Sequence, residues 1–195
     1  MDFGSCKDLV SLQAIVFMNL FLLCTSQSMT CYTDLTASLS LAIRMGLHRS
    51  LQISQDLVSH ETGKKVFWAM RLLANDVAAS LGLPKILDDG EINQEFPIEV
   101  SDIYAERKSI LNQPLDEVCF ASGANAYKRL LAIRDSVISQ VYTTRNFCDW
   151  QKCVSSKELD TRPVFEIERN LAAWVNRAPE AFRLGANFAN PSLTR

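Results

Sequence analysis

Cysteine and histidine are the residues most able to do chemistry in this chain, so their spacing comes first. The cysteines are Cys6, Cys24, Cys31, Cys119, Cys148 and Cys153. Thiolates hold zinc or exchange disulfides when two sit in a C-x-x-C turn, and no two of these do. The tightest pair, Cys148 and Cys153, does not share a helical face. A mixed Cys/His site would need His48 or His60, and neither lies near a cysteine in sequence. The expectation is free, mostly buried thiols in a reducing, intracellular compartment, with no metal and no cofactor in this chain. The one sequon-like triplet, Asn190-Pro191-Ser192, is blocked by its proline.

Carboxylates are the second possibility. Asp88-Asp89-Gly90-Glu91 and Asn75-Asp76 are the residue types that hold magnesium around a diphosphate in terpene cyclases. The spacing fails: Ile92 stands where an acid is needed, Ala79 where a serine is, and Leu83 where a glutamate is. The two motifs also occur in reverse order. A turn at Asp89-Gly90 and a polar helix face at Asn75-Asp76 account for them. No Ser-His-Asp set can be assembled, and no glycine-rich loop could cradle a phosphate. The basic pairs Lys64-Lys65, Arg107-Lys108 and Lys128-Arg129 read as solvated helix faces. No catalytic, cofactor-binding or metal-binding residue is assigned.

The elements that would position any site are helices. The chain has 195 residues, 48% of them hydrophobic, and a net charge of −2. That is enough to bury one core, and it offers no basic excess to grip a phosphate backbone. Leu35, Leu39, Ala42 and Met45 form a helical stripe closed by Gly46. Val66, Met70, Leu73, Val77 and Leu81 form a second, widened by Phe67, Ala74 and Ala78. Ala126, Leu130, Ile133, Val137 and Val141 form a third. Ile167, Leu171, Trp174 and Val175 form a fourth, entered from Thr161 and Pro163 and ended before Pro179. Leu9 to Leu23 is apolar nearly all round, too short to span a membrane, and is expected to be the central helix of the bundle. Ser50 to His60 reads as a polar linker. Leu81 to Pro97 is a long connection, pinned by Pro84 and Pro97 and anchored by Ile86, Ile92 and Phe96. The fold class is all-α, an irregular multi-helix bundle over residues 1–183 with a loosely ordered tail at 184–195.

Three segments in order carry a further signal: SLQAIVFMNLFL at Ser11–Leu22, SLAIRMGLHRSL at Ser40–Leu51, and KKVFWAMRLLANDVAASLGLPKILDDGEINQEFP at Lys64–Pro97. Together they resemble the regulatory middle homology domain of fungal zinc-cluster transcription factors, most like the xylanolytic activator type. The matching positions are Gly46, Leu47, His48 and Arg49, then Lys64-Lys65, Phe67 and Trp68, Asp76, Gly82 with Pro84, and the acidic stretch to Pro97. The resemblance implies a helical, non-catalytic domain of a nuclear regulator of RNA polymerase II transcription. It implies DNA and zinc binding only through a six-cysteine cluster that this chain lacks, so the chain is expected to be an incomplete form of that regulatory region. Partners would be an effector, a co-regulator protein or a second copy, with no membrane. A small-molecule-binding or cyclase-like helical enzyme and a dimerisation scaffold are the alternatives. Arg49 and Asp76 are expected to pair across helices.

Overall fold

In a computed structural model of the chain, the residues described are 8–50, 57–101, 104, 119–141, 162–179 and 182. They form five α-helices: α1 Leu9–Cys24, α2 Ser28–Arg44, α3 Leu57–Leu81, α4 Phe120–Val141 and α5 Arg162–Arg177. Among the described residues there is no strand, only one isolated β-bridge between Arg49 and Asn93. The fold is all-α. The chain divides into two compact units, Met1–Asn112 and Gln113–Arg195. The reading of one domain over 1–183 drew no boundary there, and the tail at 184–195 lies outside the described residues.

The first unit is built around α3, which packs on α2 and α1. Its buried face carries Val66, Phe67, Met70, Ala74, Val77 and Ala78, the stripe read from the sequence. Leu12 and Ile15 from α1, and Cys31, Leu35, Leu39 and Ala42 from α2, close the core. Helix α3 starts at Leu57, so the last residues of the expected linker are helical.

Three helix ends follow one chemical rule. Where α2 stops, Gly46 takes a positive φ of 79° and Leu47 N–H reaches back to the Ala42 carbonyl at 3.0 Å. Where α3 stops, Gly82 (φ 68°) and the Leu83 N–H, 2.8 Å from the Ala78 carbonyl, repeat the arrangement. These left-handed turns satisfy carbonyls that a helix end leaves unpaired, and glycine enters them without a Cβ clash. Helix α1 closes the same way with Ser26 (φ 59°) in place of glycine, Gln27 N–H lying 2.9 Å from the Leu22 carbonyl.

Helix α1 is not the central helix. Only Leu12, Ile15 and Asn19 are buried along it, one turn apart on the side that meets α2 and α3. Val10, Phe17 and Phe21 are 69%, 72% and 64% exposed. The helix has no charged side chain to mark an outer face, so its sequence could not show which side the neighbours take.

The second unit pairs α4 with α5. Trp174 Nε1–H donates to the Ala126 carbonyl at 2.7 Å, and the Phe182 ring lies against Gly123, which has no Cβ to oppose it. Pro163 sits in the first turn of α5, where a missing N–H costs nothing. Ala126 is buried as expected, but Leu171 and Val175 are exposed.

Candidate functional site

Residues 82–101 form a strap along α3, and the polar side chains of that helix hold it. Arg71 is buried; its guanidinium donates to the Leu87 carbonyl at 3.1 Å and to the Asp89 carboxylate. Lys85 Nζ reaches the other Asp89 oxygen at 3.3 Å. Two turns back along α3, Lys64 Nζ lies 2.9 Å from Glu61 Oε1 and 3.4 Å from Glu95 Oε2. The second Glu61 oxygen accepts the Ile98 N–H at 2.9 Å. Lys64 and Glu61 are 6% and 8% exposed while Glu95 is 73% exposed. The chain therefore buries two charges to fix a surface segment, which is tolerable only because they satisfy each other. The Lys64-Lys65 pair is thus not a solvated face, and Lys64 is an anchor.

Between these ionic contacts lies an aromatic one. Trp68 Nε1–H donates to the Glu95 carbonyl at 2.8 Å. The Trp68 ring stacks at a tilt on Phe96, 4.7 Å between centroids, and meets Phe67 edge-on at 5.6 Å. The Arg71 guanidinium carbon is 6.0 Å from the Trp68 centroid, a distance at which a cation is attracted to the ring face. Adjacent residues thus divide the work, since Phe67 is fully buried in the core and Trp68 faces the strap. Leu87 is buried in the same core, and Ile86 and Ile92 pack on it, as expected. Phe96 anchors through Trp68, and Pro97 is buried.

The turn after α2 holds the far side of the strap. Asn93 N–H donates to the His48 carbonyl at 3.0 Å and Ser50 N–H to the Asn93 carbonyl at 3.2 Å. The Gln94 amide donates to the Leu47 and Arg49 carbonyls, each at 3.0 Å. Leu47, His48 and Arg49, through Asn93 and Gln94, and Trp68, through Glu95 and Phe96, therefore form one seam with the strap, while Gly46 closes α2 beside it and Phe67 stays in the core. Gly82 and Pro84 set the strap's departure from α3, where Pro84 is exposed. Asp76 is not part of the seam. No ion pair joins it to Arg49, which donates instead to His48 Nε2 at 3.1 Å. The reason is distance along α3. Leu47 packs beside Gly63, 3.3 Å from where a Cβ would stand, and Asp76 lies roughly 20 Å further along the helix.

The sequence reading missed Glu61, Arg71, Leu87 and Gln94. The arrangement is one of holding, with no group of three His, Cys, Asp or Glu side chains able to grasp a metal among the described residues. Cys24 is exposed, Cys31 and Cys119 are buried, and none of the three is in a disulfide. Burial, with the nearby Asp34 charge, pushes the Cys31 thiol above its ordinary value. No helix is long and apolar enough to cross a membrane among the described residues.

Comparison with known proteins gives the chain a family. Residues 1–176 match the fungal specific transcription factor domain. The chain is 26% identical over its whole length to Activator of stress genes 1 of Saccharomyces cerevisiae, covering 20% of that protein. It is 30% identical to Transcriptional activator protein acu-15 of Neurospora crassa, over 80% of this chain and 16% of the relative. It is also 30% identical to an ABC-transporter-regulating transcription factor of Aspergillus oryzae, over 90% of this chain and 19% of the relative. The chain thus spans about a fifth of the length of such relatives. No solved structure matches.

Proposed function

The chain belongs to the fungal specific transcription factor domain family, and from that premise we propose that it is a non-catalytic regulatory domain controlling RNA polymerase II transcription in the nucleus. The observation that carries this reading is the convergence of the resembling blocks on one seam. The turn at Gly46–Arg49, the Phe67-Trp68 pair and the acidic strap are tied together by hydrogen bonds and ion pairs, with no reactive constellation among them. Such a seam has two states available, strap docked or strap released, and a ligand or partner that prefers one shifts the balance. Within this reading the xylanolytic activator type is the closest subtype. Zinc and sequence-specific DNA contacts belong to a cluster outside these residues, and an effector, a co-regulator or a second copy is the partner.

Fusing the chain to an unrelated DNA-binding module in a fungal reporter strain tests the proposal. Releasing the strap with Trp68→Ala should change reporter output without changing protein level. Equal output from both fusions, or a specific duplex shifted by the purified chain at nanomolar concentration in physiological salt, would count against it.

A further inference from the structure

Beside the seam, between the turn that ends α2 and the first turns of α3, lies a cleft of about 380 Å³. That volume falls in the lower part of the range for small-organic-ligand sites. Leu9, Met45 and Leu47 give it apolar walls, and Arg49, His60 and Gln94 its polar ones. Two of these polar groups are unspent. Arg49 is exposed and faces no carboxylate among the described residues, its one side-chain bond going to His48. A guanidinium offers five donors, so most remain available. His60 Nε2 is buried without a hydrogen-bond partner, a state that disfavours the empty cleft. Glu61 Oε1 lies 3.8 Å from His60 Nδ1. In the neutral ring that carries its proton on Nδ1, the nitrogen on the Glu61 side, Nε2 is an acceptor that needs a donor.

Charge decides how acidic the occupant is. Lys64 also lines the cleft, but Glu61 and Glu95 already neutralise it at 2.9 and 3.4 Å. Among the described residues that line the cleft, Arg49 is then the one uncompensated cation, which suits a single carboxylate better than a phosphate or dicarboxylate. We propose that this cleft binds a small hydroxy-monocarboxylic acid. Its carboxylate would sit on the Arg49 guanidinium, its hydroxyl would donate to His60 Nε2, and its carbon body would lie against Leu9, Met45 and Leu47. Gln94 lines the cleft while its amide grips the Leu47 and Arg49 carbonyls. An occupant therefore touches the strap's own attachment and favours its docked state. This last step rests on the regulatory reading above; binding itself does not.

The test is calorimetric titration of the full chain with lactate, 2-hydroxyisovalerate and mandelate, beside benzoate, mandelamide and inorganic phosphate. At least one hydroxy acid should bind saturably. Benzoate, which lacks the hydroxyl, and the uncharged mandelamide should each bind about tenfold more weakly or worse, a loss of about 1.4 kcal/mol. Arg49→Gln, at an exposed position that leaves the fold intact, should weaken hydroxy-acid binding by about the same factor. His60→Phe should abolish the preference for the hydroxyl. No saturable binding by any of the three hydroxy acids, or equal binding by mandelamide or by Arg49→Gln, overturns the proposal. A reporter that ignores strap release while hydroxy acids still bind would sink the regulatory reading and leave the cleft intact.

Discussion

The two units are stabilised differently, although both are helical and both show apolar stripes in sequence. In the first, large side chains are fully enclosed, among them Phe67, Leu12, Leu35, Leu39 and Met70. In the second, the buried apolar residues among those described are Cys119, Ala126, Leu131 and Ala178, and Asn125, Lys128 and Asp135 are buried as well. Its bulky residues face outward instead, with Phe120 74%, Phe165 66% and Val175 52% exposed. The first unit closes a core with its own helices and fastens a strap over it. The second brings two helices together where Trp174 meets the Ala126 carbonyl. A helix pair alone cannot cover the outer stripe of either member, so an amphipathic pattern states that a face wants covering and not what covers it.

The sharpest way to break this contrast is to truncate one large side chain in each unit. Phe67→Ala should destabilise the first unit by about 3–5 kcal/mol, because it removes a fully enclosed ring from a packed core. Phe165→Ala should change stability by less than about 0.5 kcal/mol, as expected at an exposed position. Urea titrations of both variants against the parent chain measure the two values. Equal losses would mean that the outer face of α5 is covered in solution.

The next effect separates the strap from the core beneath it. Glu61→Ala leaves Lys64 with Glu95 as its carboxylate partner among the described residues and the Ile98 N–H without its acceptor. Breaking a buried ion pair costs about 3–5 kcal/mol when the survivor stays buried. Here Lys64 keeps an exposed partner, so a loss of about 2–3 kcal/mol is expected. Hydrogen exchange locates it. The Ile98 amide should lose protection, while amides in the α3 stripe from Met70 to Ala78 should exchange no faster than the overall loss of stability dictates. Uniform loss along α3 would show that strap and core unfold as one.

These two variants also mark what the sequence could and could not disclose. Phe67 was legible as core because it lies in a helical stripe, and Gly46 as a helix end because the left-handed turn selects its type, whereas Gly82 stood out only beside Pro84 in the resembling motif. Glu61, Lys64 and Arg71 were not, since a charged residue on a helix is ordinarily solvated. Their burial depends on a strap that returns between 16 and 37 residues later. The turn at Gly46–Arg49 was recognisable as a motif, yet its role rests on backbone carbonyls and amides, which carry no residue signature. Helix α1 was legible as a helix but not as a one-sided one, for want of a charged face.

The second unit carries its own pH signature. Lys128 is buried, donates to Asn125 Oδ1 at 3.2 Å, and has its pKa lowered to about 8 by burial and by the Arg129 charge beside it. The Lys128-Arg129 pair is therefore not a wholly solvated face. A folded pKa below the ordinary value of 10.5 means that the unfolded chain binds more protons between those two values. Stability of this unit should then rise with pH across that window, and below about pH 8 the full cost of the buried ammonium is present. Lys128→Met should remove that part of the slope. Urea unfolding followed through Trp174 fluorescence, in chains with Trp68 and Trp150 replaced by Phe, reads it, and an unchanged slope in the Lys128 variant would assign the effect elsewhere.

The smallest expected effect refines the contrast within the first unit, at a helix end instead of the core. Ser26 occupies the left-handed position that glycine fills after α2 and α3, and there its Cβ crowds the following carbonyl. Ser26 is exposed, and none of the side-chain hydrogen bonds around Thr25 and Gln27 runs through its hydroxyl. Ser26→Gly therefore sets relief of a left-handed strain of about 1–2 kcal/mol against the extra freedom glycine has when unfolded, about 0.5–1 kcal/mol. The balance is a gain of up to about 1.5 kcal/mol, which a urea titration resolves as a higher midpoint at unchanged slope. A lower midpoint would mean that the serine hydroxyl supports the α1–α2 turn by more than its backbone strain costs.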